Sequence, residues 1–486
     1  MESEGALTEA GVAAGRPHIV LISLDTLRAD RLGAYGYERP TSPVMDRFAA
    51  EGVRFAQAVA PSSKTATSHT TMFTGVHPRV HGVRNYYGKD ATAPNDGLVN
   101  LAEALADEGG YVCAAFTGGG MMSGELGFAR GFTEYDDRGA GADRVFSRTK
   151  AWLDQRWPEV QESEMPLFLF VHTYEIHDPY TPPAEWAERF VDPNYSGGID
   201  ATRIEMPDDA TEAWKNDPTL FKRVQEGFWG QFDGRKPEDA QHIKDLYDAG
   251  IAYTDHLLGD LLETMQRIGL LDEALVVITS DHGEELLDHG LVSHQTVYQE
   301  ILHVPLMVRL PQGHPQAASR RGGVVERPVM GADLFPSLLD FAGVELPDYV
   351  QGTSWLPSLL GEVSRWELAW SEIGTPANDL VALRWGSYKL IGNRVTRSNP
   401  EFYDLQVDPR ERFNRMGDFG DVAVHLAGLM QEQEERNAAL AERFPATPTE
   451  VGEAGMGAMH ALGYVDGPAG GAPPGKEAQP AQTGGE

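Results

Sequence analysis

Two apolar runs that each end in an aspartate constrain this chain more than any other feature. His18-Ile-Val-Leu-Ile-Ser-Leu-Asp25 lies near the start, and Ala274-Leu-Val-Val-Ile-Thr-Ser-Asp281-His282-Gly283 lies in the second half. Short, nearly unbroken runs of Val, Ile and Leu read as strands buried on both faces, the pattern of a parallel sheet. In open α/β sheets the ligand sits outside the carboxyl ends of the strands. Asp25, Asp281 and His282 are therefore expected to project into one crevice. Two carboxylates and an imidazole meeting there suit a divalent metal ion.

A third stretch belongs with them: Ala60-Pro-Ser-Ser-Lys-Thr-Ala-Thr-Ser-His-Thr-Thr-Met-Phe-Thr-Gly75, which follows the apolar run beginning at Val53. It reads as a hydroxyl-rich turn entering a helix, with Thr67 or Ser68 as N-cap and the first backbone N–H groups aimed at an anion above the turn. Lys64 and His69 add a cation and an imidazole. A free hydroxyl is a poor nucleophile at neutral pH, and a metal held by Asp25, Asp281 and His282 is what would activate one here.

Between these landmarks helices and strands alternate. Ser42-Pro43 followed by Val44, Phe48 and Gly52 predicts a helix with Pro in its first turn and Gly past its end. Leu98, Leu101 and Leu105 mark another before Gly109-Gly110, and a strand follows around Cys113. Pro166-Leu-Phe-Leu-Phe-Val171 predicts a strand delivering His172, Glu175 and His177. Residues 243–268 carry helical spacing, 304–311 a strand and 333–343 a helix. The alternation predicts an α/β fold with a doubly wound, mostly parallel sheet flanked by helices. Beyond Gly361, 381–391 and 402–405 alternate like antiparallel strands before a Glu-rich helix over 423–443, a small α+β subdomain. The expected divisions are a disordered segment 1–16, a catalytic domain 17–365 with an insertion over 186–239, the subdomain 366–445 and a mostly disordered tail 446–486.

Charge narrows the partners. A formal net charge of −33 repels nucleic acid and anionic lipid surfaces. Cys113 is the only cysteine, so no intrachain disulfide forms and no oxidising compartment is needed. With no signal-like start and no apolar run of membrane-spanning length, the cytoplasm is the expected location.

Asp25-Thr-Leu-Arg-Ala-Asp-Arg-Leu-Gly-Ala-Tyr-Gly36, the Thr65 to Gly75 stretch, Ser280-Asp-His-Gly-Glu284, His172-Thr-Tyr-Glu-Ile-His-Asp-Pro-Tyr180, Asp333-Leu-Phe-Pro-Ser337 and Phe402-Tyr-Asp-Leu-Gln-Val-Asp-Pro409 together resemble the sulfatases of the alkaline phosphatase superfamily. The resemblance implies that superfamily's fold, and it spans about Pro17 to Asn414. Typical sulfatases carry Cys or Ser, any residue, Pro, Ser, Arg, with the first residue oxidised to formylglycine. Matched on Thr74-Gly75, this chain has Thr65 as nucleophile, Thr67 for the Pro, Ser68 for the Ser and His69 for the Arg. Thr65 cannot yield formylglycine, and unmodified Thr is what metal-dependent phosphodiesterases and phosphotransferases of the superfamily use. Sulfatases usually have Asp-Asp and Asp-Asn where this chain has Asp25-Thr26 and Asp281-His282, a change that favours zinc or manganese over calcium or magnesium. Where they place a Lys and a His to hold sulfate, this chain has Thr117-Gly-Gly-Gly-Met-Met-Ser123.

The resemblance further assigns His177 to the anion or leaving group, and Ser68 to substrate contact. His294 stands where sulfatases protonate the leaving oxygen, and a second-metal ligand is its other fitting role. His172 is read as structural, Glu175 as a second-metal candidate, His289 as a lesser one, and the rest of the loop after His282 as solvated charge. The expected activity is metal-dependent hydrolysis of a small anionic ester through Thr65, with Lys64 and His69 stabilising charge; phosphate mono- or diesters come ahead of sulfate esters. The alternatives are sulfate ester cleavage without formylglycine and a non-catalytic metal-binding relative.

Overall fold

The computed structural model describes residues 16–449 except 85–91, 140, 201–226, 234, 363–367, 375–378 and 398. Nearly all of the expected N-terminal segment, most of the expected tail and the middle of the insertion thus lie outside the described residues.

In chain order the main elements are β1 (His18–Leu24), α1 (Pro43–Glu51), β2 (Val53–Val59), α2 (Thr65–Thr74), α3 (Leu101–Asp107), β3 (Val112–Phe116), β4 (Glu134–Asp136), α4 (Ala142–Ser163), β5 (Leu167–Thr173), α5 (Pro237–Arg267), β6 (Ala274–Thr279), β7 (His303–Arg309), β8 (Gly323–Val325), β9 (Val329–Met330), α6 (Leu334–Ala342), β10 (Leu368–Gly374), β11 (Asp379–Trp385), β12 (Tyr388–Asn393), β13 (Glu401–Asp404) and α7 (Gly420–Ala441). The first nine strands form one sheet in the order β8-β2-β7-β6-β1-β5-β3-β4, with β9 also on β2. β1 lies between β5 and β6, parallel to both, and β7 is antiparallel to its neighbours β6 and β2. The sheet is thus mostly parallel, as its apolar runs predict.

Alternate residues of each central strand enter opposite cores because successive side chains point to opposite faces. Ile19, Leu21, Phe168, Phe170, Leu275 and Val277 pack with α2, α3 and α6 on one face. Val20, Ile22, Leu169, Val171, Val276 and Ile278 pack with α1, α4 and α5 on the other. Both faces are covered, and this is why these strands carry almost no polar residue until their ends.

The remaining four long strands form an antiparallel sheet in the order β10-β11-β12-β13. One face, with Trp370, Leu383, Leu390 and Phe402, packs with Ala423 and Leu426 of α7. Ala369, Ile373, Ala382 and Ile391 point the other way and join the main core. Residues 381–391, read from the sequence as one alternating run, are two strands: Gly386 at φ +63° supports a tight turn between Trp385 and its partner Tyr388. β10, with no counterpart among the strands expected from sequence, backs the hydroxyl-rich turn. Glu372 N–H donates to Pro61 O at 2.9 Å and Ser371 Oγ to Ala60 O at 2.6 Å.

Candidate active site

β1, β2, β5 and β6 run in one direction, so their carboxyl ends share one edge of the sheet, and antiparallel β7 begins there. That edge collects Asp25 after β1, Thr65 after β2, His172 and His177 at and beyond the end of β5, Asp281 and His282 after β6, and His294 ahead of β7. Among them Asp25, His172, Asp281 and His282 have no exposure at all, and Thr65 is 1 % exposed.

Thr65 Oγ1 donates to Asp25 Oδ2 at 3.2 Å and lies 3.5 Å from His282 Nε2. Donor atoms of Asp25, Asp281 and His282 all fall within 4.8 Å of one another. Thr26 N–H and Ser280 Oγ both approach Asp281 Oδ1 at 3.4 Å, whereas Asp281 Oδ2 and Asp25 Oδ1 accept no hydrogen bond among the described residues. His282 Nδ1–H donates to Gly283 O at 2.9 Å, which leaves the Nε2 lone pair for the cluster. Orphaned carboxylate oxygens in a dry site are costly unless a cation meets them. The donor set therefore fits a divalent metal. Burial pushes the Asp25 carboxyl up, against the nearby His282 and His177. Thr26, at φ +58°, turns its hydroxyl back onto Asp25 O at 2.8 Å and stays out of the cluster.

The helix that begins at Thr65 corrects three sequence expectations. α2 starts at Thr65 with Lys64 as N-cap residue, three to four residues earlier than the expected cap at Thr67 or Ser68. Its first intrahelical bond runs from Ser68 N–H to Lys64 O at 2.8 Å, so Thr65, Ala66 and Thr67 supply the leading N–H groups. Ser68 is consequently no substrate contact: fully buried, it ties its Oγ to Ser62 O at 3.0 Å. His69 lies one helical turn beneath Thr65, where Nδ1–H donates to Thr65 O and Nε2 accepts from Ser23 Oγ, both at 2.9 Å. Burial holds it down at about 3. A neutral ring with both nitrogens engaged fixes the Thr65 backbone and carries no charge to a transition state.

His177 and His294 meet at 3.1 Å through their Nε2 atoms. Burial works against a charge on His177, but the hydrogen bond and charge of Asp178 overcome it and push the imidazole up to about 10. His294 is driven well below its ordinary range by burial, then by Lys64, His282 and His177, while its Nδ1–H donates to Ser63 O at 2.8 Å. A proton between the two rings is therefore favoured on His177. Lys64 Nζ donates to His294 O at 3.3 Å, and burial lowers it to about 8 against the pull of Glu284, Glu285 and Asp178.

His172 supports the cluster from behind, with Nε2 3.3 Å from Asp25 Oδ2. Glu175 is elsewhere: its Oε2 accepts from Ala142 N–H at 2.9 Å at the start of α4, so it is no second-metal ligand. His289 stacks on Tyr298 and bonds Glu300 through Nδ1, away from the cleft. Sequence reasoning missed Glu284 and Asp178, which lie with His177 within 4.8 Å of one another. Glu284 is fully buried, not solvated, and burial with Asp178 beside it raises its carboxyl strongly. The available signal was Gly283: a Cβ there would sit 2.1 Å from Glu300 O, and this tight passage turns the next side chain inward. The insertion contributes Trp229, whose Nε1–H donates to Asp178 Oδ2 at 2.8 Å.

The sulfatase family profile matches residues 17–344, and the profile for the C-terminal part of N-sulphoglucosamine sulphohydrolase matches residues 287–436. The chain is 25 % identical to an N-acetylglucosamine-6-O-sulfatase of Bacteroides thetaiotaomicron, covering 86 % of each. It is 22 % identical to an arylsulfatase of Clostridium perfringens, over 82 % of this chain and 90 % of that one. A solved protein in complex with its substrate D-glucosamine-2-N,6-O-disulfate superposes with a TM-score of 0.70 at 22 % identity, over 87 % of this chain and 98 % of that one. A phosphonate monoester hydrolase of Agrobacterium radiobacter gives 0.66 at 22 % identity, over 87 % and 96 %. Among the described residues no helix is long and apolar enough to cross a membrane. With a profile match that takes in both aspartates, the threonine and both cleft histidines, the chain belongs to the sulfatase family of ester-bond hydrolases.

Proposed function

We propose that this chain hydrolyses small anionic esters with unmodified Thr65 as nucleophile, phosphate mono- and diesters ahead of sulfate esters, using a divalent cation held by Asp25, Asp281 and His282. Zinc or manganese suits a set with one imidazole better than calcium or magnesium. The supporting observation is the position of one atom: Thr65 Oγ1 at the head of a buried helix, 3.2 Å from Asp25 Oδ2 and 3.5 Å from His282 Nε2. When bound, the cation lowers the pKa of an adjacent hydroxyl and offsets charge on the transferring group.

The chain's own groups do the rest. The Thr65 hydroxyl passes its proton to Asp25 Oδ2 as Oγ1 attacks the phosphorus or sulfur. The leading N–H groups of α2 and the Lys64 ammonium stabilise negative charge on its oxygens. As the ester bond breaks, the proton shared by His177 and His294 goes to the departing oxygen. Water then releases the Thr65 ester. Sulfate esters are the second reading, favoured by the sulfatase names of the relatives. A single cysteine calls for no oxidising compartment, in keeping with a cytoplasmic enzyme.

The test is hydrolysis of aryl phosphates, phosphonates and sulfates by metal-loaded protein. Thr65→Ala is expected to lower kcat by at least about 10³-fold, the scale of losing a nucleophile. Full activity in Thr65→Ala removes the proposed nucleophile. Inactivity of wild type with every ester and metal leaves a metal-binding protein instead.

A further inference from the structure

His294 lies on a segment gripped from two sides. Toward the cleft it is held by Ser63, Lys64 and His177. Three and five residues further on, the grip belongs to the C-terminal sheet and the loop that follows its last strand. Lys389 on β12 donates from Nζ to Val297 O at 2.6 Å, and Glu411 accepts from Gln299 N–H at 2.6 Å. The two side chains pair with each other at 2.6 Å, and both residues are 1 % exposed. Glu411 also takes His289 Nε2–H on its backbone oxygen at 3.2 Å. His289 in turn stacks on Tyr298, with ring centroids 3.9 Å apart, and Tyr298 OH donates to Glu401 Oε2 at 2.9 Å.

Ionic pairs without solvent are poor value as stability devices, since apolar residues of similar volume do as well or better. Lys389 faces away from the cluster that packs the C-terminal sheet against α7, since its strand neighbours Tyr388 and Leu390 both join that cluster. The pair's spare hydrogen-bonding capacity goes to the backbone of the segment that carries His294. Glu411 moreover holds φ at +52°, a conformation that a non-glycine residue keeps only when its surroundings impose it.

We propose that Lys389 and Glu411 are positioning residues that set His294 against His177, so that the C-terminal sheet governs proton delivery to the leaving group. This rests on the His177–His294 pair being the proton donor. A general acid displaced by about 1 Å loses on the order of 10²-fold in rate. The loss falls on esters whose leaving oxygen needs a proton and spares those whose leaving group departs as a stable anion.

The experiment compares a phenyl ester with its 4-nitrophenyl counterpart in the metal-loaded enzyme. Because each single substitution strands a buried charge, the main variant is the double Lys389→Met/Glu411→Leu. Tyr298→Phe accompanies it as a milder cut of the same grip. For the double variant kcat on the phenyl ester is expected to fall about 10²-fold, with less than about 3-fold on the 4-nitrophenyl ester and little change in KM. Tyr298→Phe is expected to show the same selectivity at a few-fold, and Lys389→Arg to stay near wild type. An equal loss on both esters, or none, in the double variant and Tyr298→Phe overturns the proposal. His294→Asn is run beside them. If it shows the selectivity and the others do not, this inference alone fails; if it shows none, the proton-donor reading fails and takes this inference with it.

Discussion

His177 and His294 have the same side chain and adjoining positions, yet opposite tendencies to hold a proton, and the largest difference between them is one carboxylate. Asp178 Oδ1 lies 3.0 Å from His177 Nδ1, while His294 faces Lys64 and a carbonyl. In Asp178→Asn the amide still accepts from Trp229, but the charge that holds His177 up at about 10 is gone. The reactive form carries the proton, so the basic limb of kcat/KM is expected to move to lower pH, by about 1 to 3 pH units for an opposite charge at this distance. A pH profile of kcat/KM measures it, and an unmoved basic limb excludes His177 as the group titrating there. That Asp25, Thr65, Asp281 and His282 meet at one sheet edge was legible in the sequence because each lies at the end of an apolar run or in a hydroxyl-rich turn, a signal local in the chain. His69 was misread for a reason of depth. A helix rises about 1.5 Å per residue, so a start three to four residues early sinks a side chain by about one turn, from the helix mouth to the floor. Glu284 was misread because its burial depends on Gly283 passing under Glu300, a contact made across the fold.

At the scale of elements, the helix after β1 shows how local signals find an element without showing what holds it. Ser42-Pro43 and Gly52 bracket α1 as expected, yet Ser42 makes no side-chain cap. The orphan N–H groups of Val44 and Met45 donate instead to Asp255 Oδ2 and Oδ1 on α5, each at 2.8 Å, which pins two helices of the same sheet face together. Asp255→Ala is expected to cost about 1–3 kcal/mol in urea unfolding, the range for stranding buried donors. Asp255→Asn, keeping one acceptor, is expected to cost less; equal stability of all three proteins excludes the cap. The parallel strands were readable because burial on both faces leaves them no polar alternation. β10 was not: alternation is weak in Leu368–Gly374, and its place behind the Pro61 turn is a pairing between distant segments.

The whole molecule sets a field that its own cleft must overcome. With 40 Lys and Arg against 73 Asp and Glu, the formal charge of −33 opposes the approach of the small anionic ester that Thr65 is proposed to attack. The attracting groups, Lys64 and the protonated His177, lie at the sheet edge, and their reach in water is short. Added salt screens exposed charges beyond about 10 Å at 0.1 M but leaves buried groups nearly untouched. Screening therefore removes more repulsion than attraction. For a dianionic aryl phosphate kcat/KM is expected to rise by about 2- to 10-fold between roughly 20 mM and 0.3 M of an inert salt, modest beside the largest steering effects. A monoanionic aryl sulfate, feeling half the force, is expected to show a shallower slope. Initial rates at substrate levels well below KM measure both slopes. A fall in kcat/KM with salt for both esters would mean that the cleft, not the surface, dominates the field along the substrate's path.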